Sequence, residues 1–396
     1  MIRHLFKLVW NRKRTNALLV LEIFVSFLVI FTVLAFAVTF ASSWKRPVGF
    51  DWRNVANVNL EFELVSDDAD DGLRNSVMRM VDEARAMPQV ASVAISNTPP
   101  YAFSTHENSR EVDGRPVSLI VDDVSDDFAE VMRLKMVSGR FFSREDDASA
   151  YQPIVVDTNT ARAIWGDADP VGQKLDDGDE GKAMQVVGVV EEYRKDGELS
   201  APMNMMFVRI SRDGTQGRLG SNLVVRLQPG TPVQFEEELV RRLQAVAPDL
   251  SFRVRPMDQM RDRALKMRLS PLIVGGVVAL FLISMVALGL IGVLWQSVTK
   301  RTREIGLRRA MGATGGNVHR QILAEVVLLA LIALIIGVIV VLQLPLLGVF
   351  SILTPAAFTI GLLAALVMIL TLTVVCGLYP SWLASRLTPA DALRYE

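Results

Sequence analysis

Four stretches of the chain are almost wholly apolar, and they lie at about 17–41, 272–295, 322–344 and 358–378. Each covers at least 20 residues. A helix of that length, rising about 1.5 Å per residue, crosses a hydrocarbon core about 30 Å thick. Buried helices of soluble enzymes are seldom this long and this free of charge. The pattern therefore predicts four transmembrane helices.

The long segment between the first two helices has a different pattern. Residues 55–65 alternate with the period of a strand, 72–87 carry apolar side chains at helical spacing, and 90–96 return to a strand, so the segment opens as a β-α-β unit. We expect further strands at 118–121, 153–156, 185–190, 205–210, 222–227 and 251–255, and helices at 158–165 and 233–246. The predicted fold class is an α-helical membrane protein with a large α/β (α+β) extracytoplasmic domain of two subdomains, one inserted in the other.

The basic residues sort the segments between the two sides of the membrane. Lys and Arg precede the first helix and fill the 296–321 loop, whereas the 345–357 loop has neither. The positive-inside rule therefore predicts that both termini and the 296–321 loop are cytoplasmic. Residues 45–270 carry a net charge of −9 and the rest of the chain +8, which supports an outside position for the long segment.

The N-terminal residues Ile2, Leu5, Phe6, Val9 and Trp10 share one helical face, as in an interfacial helix. A simple basic flank of helix one is the alternative, and both remain open. The first apolar run exceeds a signal-peptide core and lacks a cleavage site, so we expect it to stay as an anchor. The predicted segments are 1–16 (amphipathic helix), 17–41 (helix one), 42–270 (extracytoplasmic core domain with stalk), 271–295 (helix two), 296–321 (cytoplasmic coupling loop), 322–344 (helix three), 345–357 (external loop), 358–380 (helix four) and 381–396 (cytoplasmic tail).

The segment before helix two, 257–269, has a helical pattern that can continue into the membrane helix. Its basic residues Arg261, Arg263, Lys266 and Arg268 do not contradict the assignment, because long domains translocate largely regardless of charge. We expect these residues to mark a solvated helical stalk or to lie at the outer headgroups.

The sequence shows no catalytic constellation. His4, His106 and His319 fall in three different segments, and the acidic clusters of the long segment lack the spacing of an EF-hand loop. Neither a G-x-S-x-G elbow nor a G-x-x-x-x-G-K-[ST] phosphate loop occurs. The single cysteine, Cys376, excludes a disulfide within the chain. We therefore predict a protein that is not an enzyme and holds neither a metal nor a cofactor.

Helices two and four contain no Asp, Glu, Lys, Arg or His. This argues against an ion-coupled transporter or a hydrophilic channel, because such proteins place ionisable groups near the bilayer midplane. The helices instead carry small residues at distances that allow close backbone approach. We favour packing against a partner copy, with packing inside one chain as the alternative. The residues are Gly275, Ala279, Gly289, Gly292, Ala333 and Gly337.

The loop K-R-T-R-E-I-G-L-R-R-A-M-G-A at 300–313 is more than a basic flank. Glu304 and Arg308 form an i, i+4 pair in the favourable order, and Ile305, Leu307 and Met311 suit a groove of another protein. Positive-inside flanking, the alternative, explains the arginines but not Glu304, the apolar residues or the glycines that follow. We predict a docking surface for a partner, formed by Arg303, Glu304, Ile305, Gly306, Leu307, Arg308, Arg309, Met311, Gly312 and Ala313.

These features resemble the permeases of the MacB-like, FtsX-domain ABC superfamily (type VII, mechanotransmission type). One N-terminal helix, an external domain and three C-terminal helices are the family's arrangement, and the 300–313 motif is similar to its most recognisable one. The end of the chain, Y-P-S-W-L-A-S-R-L-T-P-A-D-A-L-R-Y-E, resembles the family's terminal signature. S-G-R-F-F-S-R-E-D (138–146) and V-V-G-V-V (186–190) resemble its periplasmic core domain. The resemblance covers essentially the whole chain.

The resemblance implies a stand-alone permease in the bacterial inner (plasma) membrane, with both termini cytoplasmic. It implies two separate ABC ATPase subunits that bind ATP and a second permease, identical or homologous. Movement of the cytoplasmic loop would pass through stalk helices to the external domain. The other expected partners are membrane lipids and a periplasmic adaptor protein, and not nucleic acid.

The expected output of such a permease is export of a drug, peptide or lipid-linked molecule. Two alternatives share the topology: an FtsX-like signalling protein that controls an external hydrolase, and a permease that releases lipoproteins. The large two-part external domain favours export over signalling, because the signalling type usually has a smaller one.

Overall fold

The computed structural model describes residues 13–61, 71–103, 106–112, 115–175, 183–232, 234–300, 307, 311, 314–348 and 353–386. The chain divides into two compact units. The external unit is Ser43–Arg268, and the membrane unit combines Met1–Ser42 with Leu269–Glu396. The predicted amphipathic helix at 2–10 and the tail from 387 onward lie outside the described residues.

The described part of the chain contains helices and strands in this order. The α-helices are α1 (Lys13–Trp44), α2 (Asp71–Arg85), α3 (Phe128–Met132), α4 (Thr158–Trp165), α5 (Phe235–Val246), α6 (Met257–Lys300), α7 (Gly315–Gln343) and α8 (Pro355–Arg386). The strands are β1 (Val55–Glu61), β2 (Val90–Ser96), β3 (Glu107–Val112), β4 (Arg115–Val124), β5 (Met136–Gly139), β6 (Gln152–Asp157), β7 (Lys174–Leu175), β8 (Met184–Val190), β9 (Met205–Arg209), β10 (Asn222–Leu227) and β11 (Ser251–Pro256).

Helices α1, α6, α7 and α8 are long and apolar enough to cross a membrane. In the core of the membrane unit, Phe27 and Phe31 of α1 are fully buried together with Ala330 of α7 and Ala365 of α8. The ring of Phe31 meets that of Phe358 edge-on, with centroids 5.2 Å apart. The prediction of four apolar helices, with an α/β domain between the first and the second, is confirmed.

The strands of the external unit form one sheet in the order β11-β1-β10-β2-β4-β9-β6-β8-β5, with β3 on β4 and β7 on β8. Strands β2 and β4 share only one register pair, Ser96 with Val124. The sheet therefore has two parts joined at that point. The second part, β3 to β9, is inserted in the sequence between β2 and β10, which agrees with the predicted subdomain insertion.

The first part of the sheet is antiparallel, and helices α2 and α5 supply its core. Val77 and Met80 of α2 are fully buried, as are Leu239 and Leu243 of α5. These side chains lie at helical spacing, so each helix turns one apolar face to the strands. Burial of each such side chain contributes about 1.5–3 kcal/mol.

The second part of the sheet leads to the polar loop that is described below. Its strands β6 and β8 are parallel neighbours, and β6 and β9 are buried along their whole length. Asp157, at the end of β6, accepts a hydrogen bond from the Thr160 backbone N–H at 2.8 Å and so caps α4. Strand β8 then ends at Val190, where the polar loop 191–200 begins.

The elements that the sequence pattern missed are short or polar. Strand β3, with the sequence E-N-S-R-E-V, has almost no apolar face, and its pairing with β4 holds it in place. Strand β5 has four residues and α3 five. The predicted continuation of the stalk pattern into the membrane helix is confirmed, because α6 runs without interruption from Met257 to Lys300.

Candidate functional site

Most of the predicted docking loop lies outside the described residues. Leu307 and Met311 are described, and both are more than half exposed. The Met311 backbone N–H donates to the Leu307 carbonyl at 3.0 Å, as in a helical turn. The docking surface therefore stays a prediction. The residues outside the described part are Arg303, Glu304, Ile305, Gly306, Arg308, Arg309, Gly312 and Ala313.

The small residues of the membrane helices pack largely inside the chain. A methyl group added at Gly275, Gly289 or Gly337 would come within 3.1 Å of a side chain of α1. Ala279 and Ala333 belong to the same buried core. Gly292 differs, because no atom lies within 4 Å of a methyl group added there.

Buried charged side chains surround the loop 191–200 of the external unit, which we call the junction loop. The Arg194 side chain is fully buried. Its guanidinium donates to the carbonyls of Ser43 at 2.9 Å, Arg46 at 3.3 Å, Glu198 at 2.6 Å and Ser200 at 2.6 Å. The buried cation therefore joins the junction loop to the end of α1.

The position of Arg194 satisfies a requirement of helix α1. The last carbonyls of a helix have no partner in the helix itself and carry its negative dipole end. Ser43 lies in the last turn of α1, so the Arg194 guanidinium supplies both a donor and a positive charge there. Burial lowers the pKa of Arg194, yet a guanidinium keeps its proton inside proteins.

Two ion pairs connect the same loop to helix α6. Glu198 accepts from Arg261 Nε at 2.5 Å, and both side chains are less than one-fifth exposed. Asp196 accepts from Arg268 Nη2 at 2.6 Å. Burial lowers the pKa of Arg261, but its hydrogen bond to Glu198 and the negative charge of that carboxylate outweigh this and raise the pKa overall. The two pairs hold α6 against the junction loop at two points about two helical turns apart.

Aromatic rings complete the contact between the two chain segments. The Arg261 guanidinium carbon lies 5.9 Å from the ring centroid of Trp44, at the end of α1, and 4.7 Å from that of Trp52. Such cation–π contacts add about 0.5–2 kcal/mol each, depending on solvent exposure. Arg261 therefore contacts the junction loop and the segment that follows α1 at the same time.

Backbone contacts fix the junction loop to its own domain. The Tyr101 N–H donates to the Lys195 carbonyl at 2.9 Å, and Lys195 Nζ donates to the Ala102 carbonyl at 3.2 Å. Gly197 has φ +86°, and a methyl group there would lie 2.5 Å from the Tyr101 ring. A side chain at position 197 would therefore be strained and would push the loop away from Tyr101.

The junction loop, residues 43–46 and residues 261–268 together form what we call the stalk junction. Sequence reasoning singled out Arg261 and Arg268 as stalk residues but missed the loop, because E-E-Y-R-K-D-G-E-L-S has the composition of an ordinary polar turn. A usable signal was the pair Arg194–Lys195 following the buried strand β8. Among the described residues no group of His, Cys, Asp and Glu suits a metal ion. The described contacts of the stalk junction are hydrogen bonds, ion pairs and cation–π contacts that join three chain segments.

Comparison with known proteins assigns the family. The model of the MacB-like periplasmic core domain matches residues 17–242, and that of the FtsX-like permease C-terminal region matches 276–389. The first match alone covers more than half of the chain. The chain therefore belongs to the MacB-like ABC transporter permeases with an FtsX-type C-terminal region, and it is a multi-pass membrane protein.

Individual relatives agree with this assignment. The macrolide export ATP-binding/permease protein MacB of Chromobacterium violaceum is 30% identical over 83% of this chain and 50% of its own length. The probable syringafactin export ATP-binding/permease protein SyfD of Pseudomonas syringae is 28% identical over 70% of this chain and 43% of its own length. The chain spans about half the length of the curated relatives it matches.

Solved structures of external regions are also similar. The periplasmic region of MacB from Actinobacillus actinomycetemcomitans aligns with 56% of this chain and 97% of its own, at 13% identity and a TM-score of 0.39. The extracellular domain of the transporter YknZ from Gram-positive bacteria aligns with 51% of this chain, at 15% identity and a TM-score of 0.37.

Proposed function

We propose that the chain is the permease subunit of an ABC transporter in the inner membrane, where it couples ATP hydrolysis by separate ATPase subunits to a conformational change of its external domain. The observation that carries the proposal is the stalk junction. One buried loop of the external domain holds the end of α1 through Arg194 and the beginning of α6 through Glu198 and Asp196.

The contacts of the junction suit the transfer of movement. Breaking a partly buried ion pair, or removing the donor from buried carbonyls, costs about 1–3 kcal/mol for each group left unpaired. A displacement of α1 or α6 relative to the loop would break several such contacts together. It is less costly for the loop to follow the helices, and the loop continues directly from strand β8 of the sheet.

Helix α6 provides the connection to the opposite side of the membrane. Its first turns carry Arg261 and Arg268, and its last residue, Lys300, directly precedes the predicted docking loop. In the proposed topology that loop and both termini are cytoplasmic. The ATPases bind the loop through Glu304 and its apolar neighbours. The same helix then joins the site of ATPase docking to the stalk junction.

Export is the output that the relatives favour. The names of the two relatives above attribute export of macrolides and of syringafactin to those proteins. By analogy, the substrate of this chain is a drug, peptide or lipid-linked molecule. A dimer with a second permease, identical or homologous, completes the proposed complex.

The test is purification of the full chain together with an ABC ATPase encoded near it. The variant carries Glu304→Lys and Leu307→Asp, which reverses the charge and removes the apolar contact of the docking loop. We expect loss of the bound ATPase and of permease-stimulated ATP hydrolysis. A matched control, Thr314→Lys with Asn317→Asp, changes two exposed positions just beyond the loop and should keep both.

The result is read only for protein that inserts and folds like the unaltered chain. If the docking-loop variant still bound the ATPase and still stimulated its ATP hydrolysis, the ATPase would have to bind another part of the chain. Topology is tested separately with single cysteines at Asp249 and Asn317, both exposed, in a Cys376→Ala background. Labelling of both from one side of the membrane would contradict the proposed orientation.

A further inference from the structure

Four exposed cations within the stalk junction have side chains that take no part in its ion pairs. Lys45 and Arg46 follow α1, whereas Arg263 and Lys266 lie on the exposed side of the first turns of α6. Within the described residues, none of the four forms an ion pair with a carboxylate. The external segment as a whole is acidic, with a net charge of −9 over 45–270, so a group of unpaired cations is a local exception.

The carboxylates near these cations are already engaged. Asp196 pairs with Arg268, and Glu198 pairs with Arg261. Asp262 lies 3.7 Å from Arg261. The stalk junction thus uses these three negative charges on Arg261 and Arg268, and none of them forms an ion pair with the four exposed side chains in the described part of the chain.

Large apolar side chains are exposed among the same cations. Trp44, Phe103 and Met267 are each about half exposed or more. The centroid of the Phe103 ring lies 5.6 Å from the guanidinium carbon of Arg263 on α6. The Trp44 ring, at the end of α1, contacts Arg261, which also lies on α6. Aromatic residues interleaved with Lys and Arg are the composition of protein surfaces at the membrane–water interface.

Six of these side chains lie close in the chain to the ends of the two apolar runs. The apolar run of α1 ends near Ala41, only a few residues before Trp44, Lys45 and Arg46, and the apolar run of α6 begins near Leu272. At about 1.5 Å per helical residue, the six side chains on or directly after these helices lie roughly 5–14 Å from the ends of the apolar runs, and the Phe103 ring lies beside Arg263 of this group. Headgroups occupy that zone, and long basic side chains reach further toward it.

We propose that Lys45, Arg46, Arg263 and Lys266, with Trp44, Phe103 and Met267, form a binding surface for anionic phospholipid headgroups of the leaflet on the side of the external domain. We call this set the collar. The cations bind headgroup phosphates, and the apolar side chains enter the interface between them. The collar is the exposed side of the same segments whose buried side forms the ion pairs of Arg261 and Arg268, so bound lipid holds the base of the stalk at a constant depth. The proposal does not depend on ATPase coupling.

The test measures which lipids surround the base of α6. A fluorescent label is placed on Ser270→Cys, an exposed position beside the collar, in the full chain with Cys376→Ala. The chain is reconstituted in bilayers with brominated phosphatidylglycerol or, separately, brominated phosphatidylcholine as the quencher. We expect phosphatidylglycerol to quench at least about threefold more effectively, because each basic side chain near an anionic surface contributes about 1 kcal/mol.

Neutralising the collar should remove this preference. In a variant with Gln at the four cations, both lipids should quench the Ser270 label about equally. A label on Gln296→Cys, at the other end of α6, should be unaffected by the same substitutions, which shows that the chain is inserted normally. The control variant removes four exposed cations elsewhere on the external unit, with Gln at Arg79, Arg144, Arg162 and Lys174, and should keep the preference.

Two results would overturn the proposal. One is equal quenching by the two lipids at Ser270 in the unaltered chain, a comparison that needs no collar variant. The other is a preference for phosphatidylglycerol that survives neutralisation of the four cations. Loss of the preference in the control variant as well would assign it to the net charge of the domain and would likewise refute a local site.

Discussion

The membrane unit and the stalk junction are each stabilised by a different kind of internal contact. In the membrane unit, apolar side chains such as Phe27 and Phe31 fill the space between helices. In the stalk junction, Arg194 is fully buried and meets backbone carbonyls, and Arg261 and Arg268 meet carboxylates. Apolar contacts are non-directional and depend on close packing, whereas a buried cation also needs its acceptors at defined positions. The difference indicates that substitutions in the two regions will lower stability for different reasons.

Removing the Arg194 guanidinium should have the largest effect. In Arg194→Met, the Ser43, Arg46, Glu198 and Ser200 carbonyls lose their donor, so we expect the free energy of unfolding of the external unit to fall by roughly 3 kcal/mol or more. Denaturant titration of the full chain in detergent measures it. Arg212→Met, which breaks an exposed pair with Asp82, should change it by less than about 0.5 kcal/mol. An equal fall in the free energy of unfolding in the two variants would mean that the buried position of Arg194 adds nothing to its contribution to stability.

The buried carboxyl group of Asp122 should make the free energy of unfolding depend on pH. Burial raises the pKa of Asp122 to about 6, although its carboxylate accepts from Ser96 Oγ and from the Asn97 and Thr98 N–H groups. The folded state therefore holds this proton more tightly than the unfolded state. The resulting stabilisation is complete below about pH 4 and is lost as the pH rises through 6, by roughly 3 kcal/mol.

The comparison for Asp122 is with Asp122→Asn, a neutral side chain of the same shape. The unfolding free energy of the unaltered chain, relative to that of the variant, should fall between pH 4 and pH 7. Urea titrations of both proteins at a series of pH values measure this difference. A difference that stays constant or rises over this range would show that Asp122 is ionised at no cost in the fold.

The Glu198–Arg261 pair should have an intermediate effect. A double-mutant cycle with Glu198→Gln and Arg261→Gln should give a coupling energy of about 1–2 kcal/mol, because both side chains are largely shielded from water. The exposed pair Glu238–Arg241 on α5 serves as the matched cycle and should give less than about 0.5 kcal/mol. If the exposed cycle gave the larger coupling, the junction pair would not be a specific connection.

Two glycines of the membrane unit should give the smallest effects. Gly337→Ala should lower the thermal midpoint in detergent, at a cost of about 1 kcal/mol, because the Phe27 ring lies where the new methyl group must go. Gly292→Ala meets nothing within 4 Å and should be neutral or slightly stabilising, since alanine is the better helix former. Among the six predicted packing residues, Gly292 is thus the one with open space beside it in the described structure. If Gly292→Ala lowered the thermal midpoint more than Gly337→Ala did, the contacts described for these two glycines would be wrong.

The parts of the fold that depend on local pattern could be predicted from the sequence. Strand Val90–Ser96, strand Asn222–Leu227 and helix Thr158–Trp165 have the predicted bounds, because alternation and helical spacing are local properties. The stalk helix was also expected, since the pattern before helix two continued into an apolar run. Strand β3 was not, because its polar residues take a strand conformation only through pairing with β4.

The stalk junction could not be predicted for a related reason. Its contacts join Ser43, Arg194 and Arg261, which are far apart in the chain and have no pattern in common. Each appears by itself to be an ordinary polar residue near a membrane helix or in a turn. Only the insertion of the second part of the sheet between β2 and β10 brings the three segments together.

The central claim is that the stalk junction makes the base of α6 and the external domain one rigid body. The most direct test is a distance measurement between two spin labels in a Cys376→Ala background. One label is on Met267→Cys, in the first turns of α6, and the other is on Asp249→Cys, two residues before strand β11 begins. We predict one narrow distance distribution that is the same with and without ATP and the partner ATPase, and a broader one when Asp196→Asn and Glu198→Gln remove both ion pairs. A distribution in the unaltered chain that is broad, or that shifts with ATP, would contradict the account.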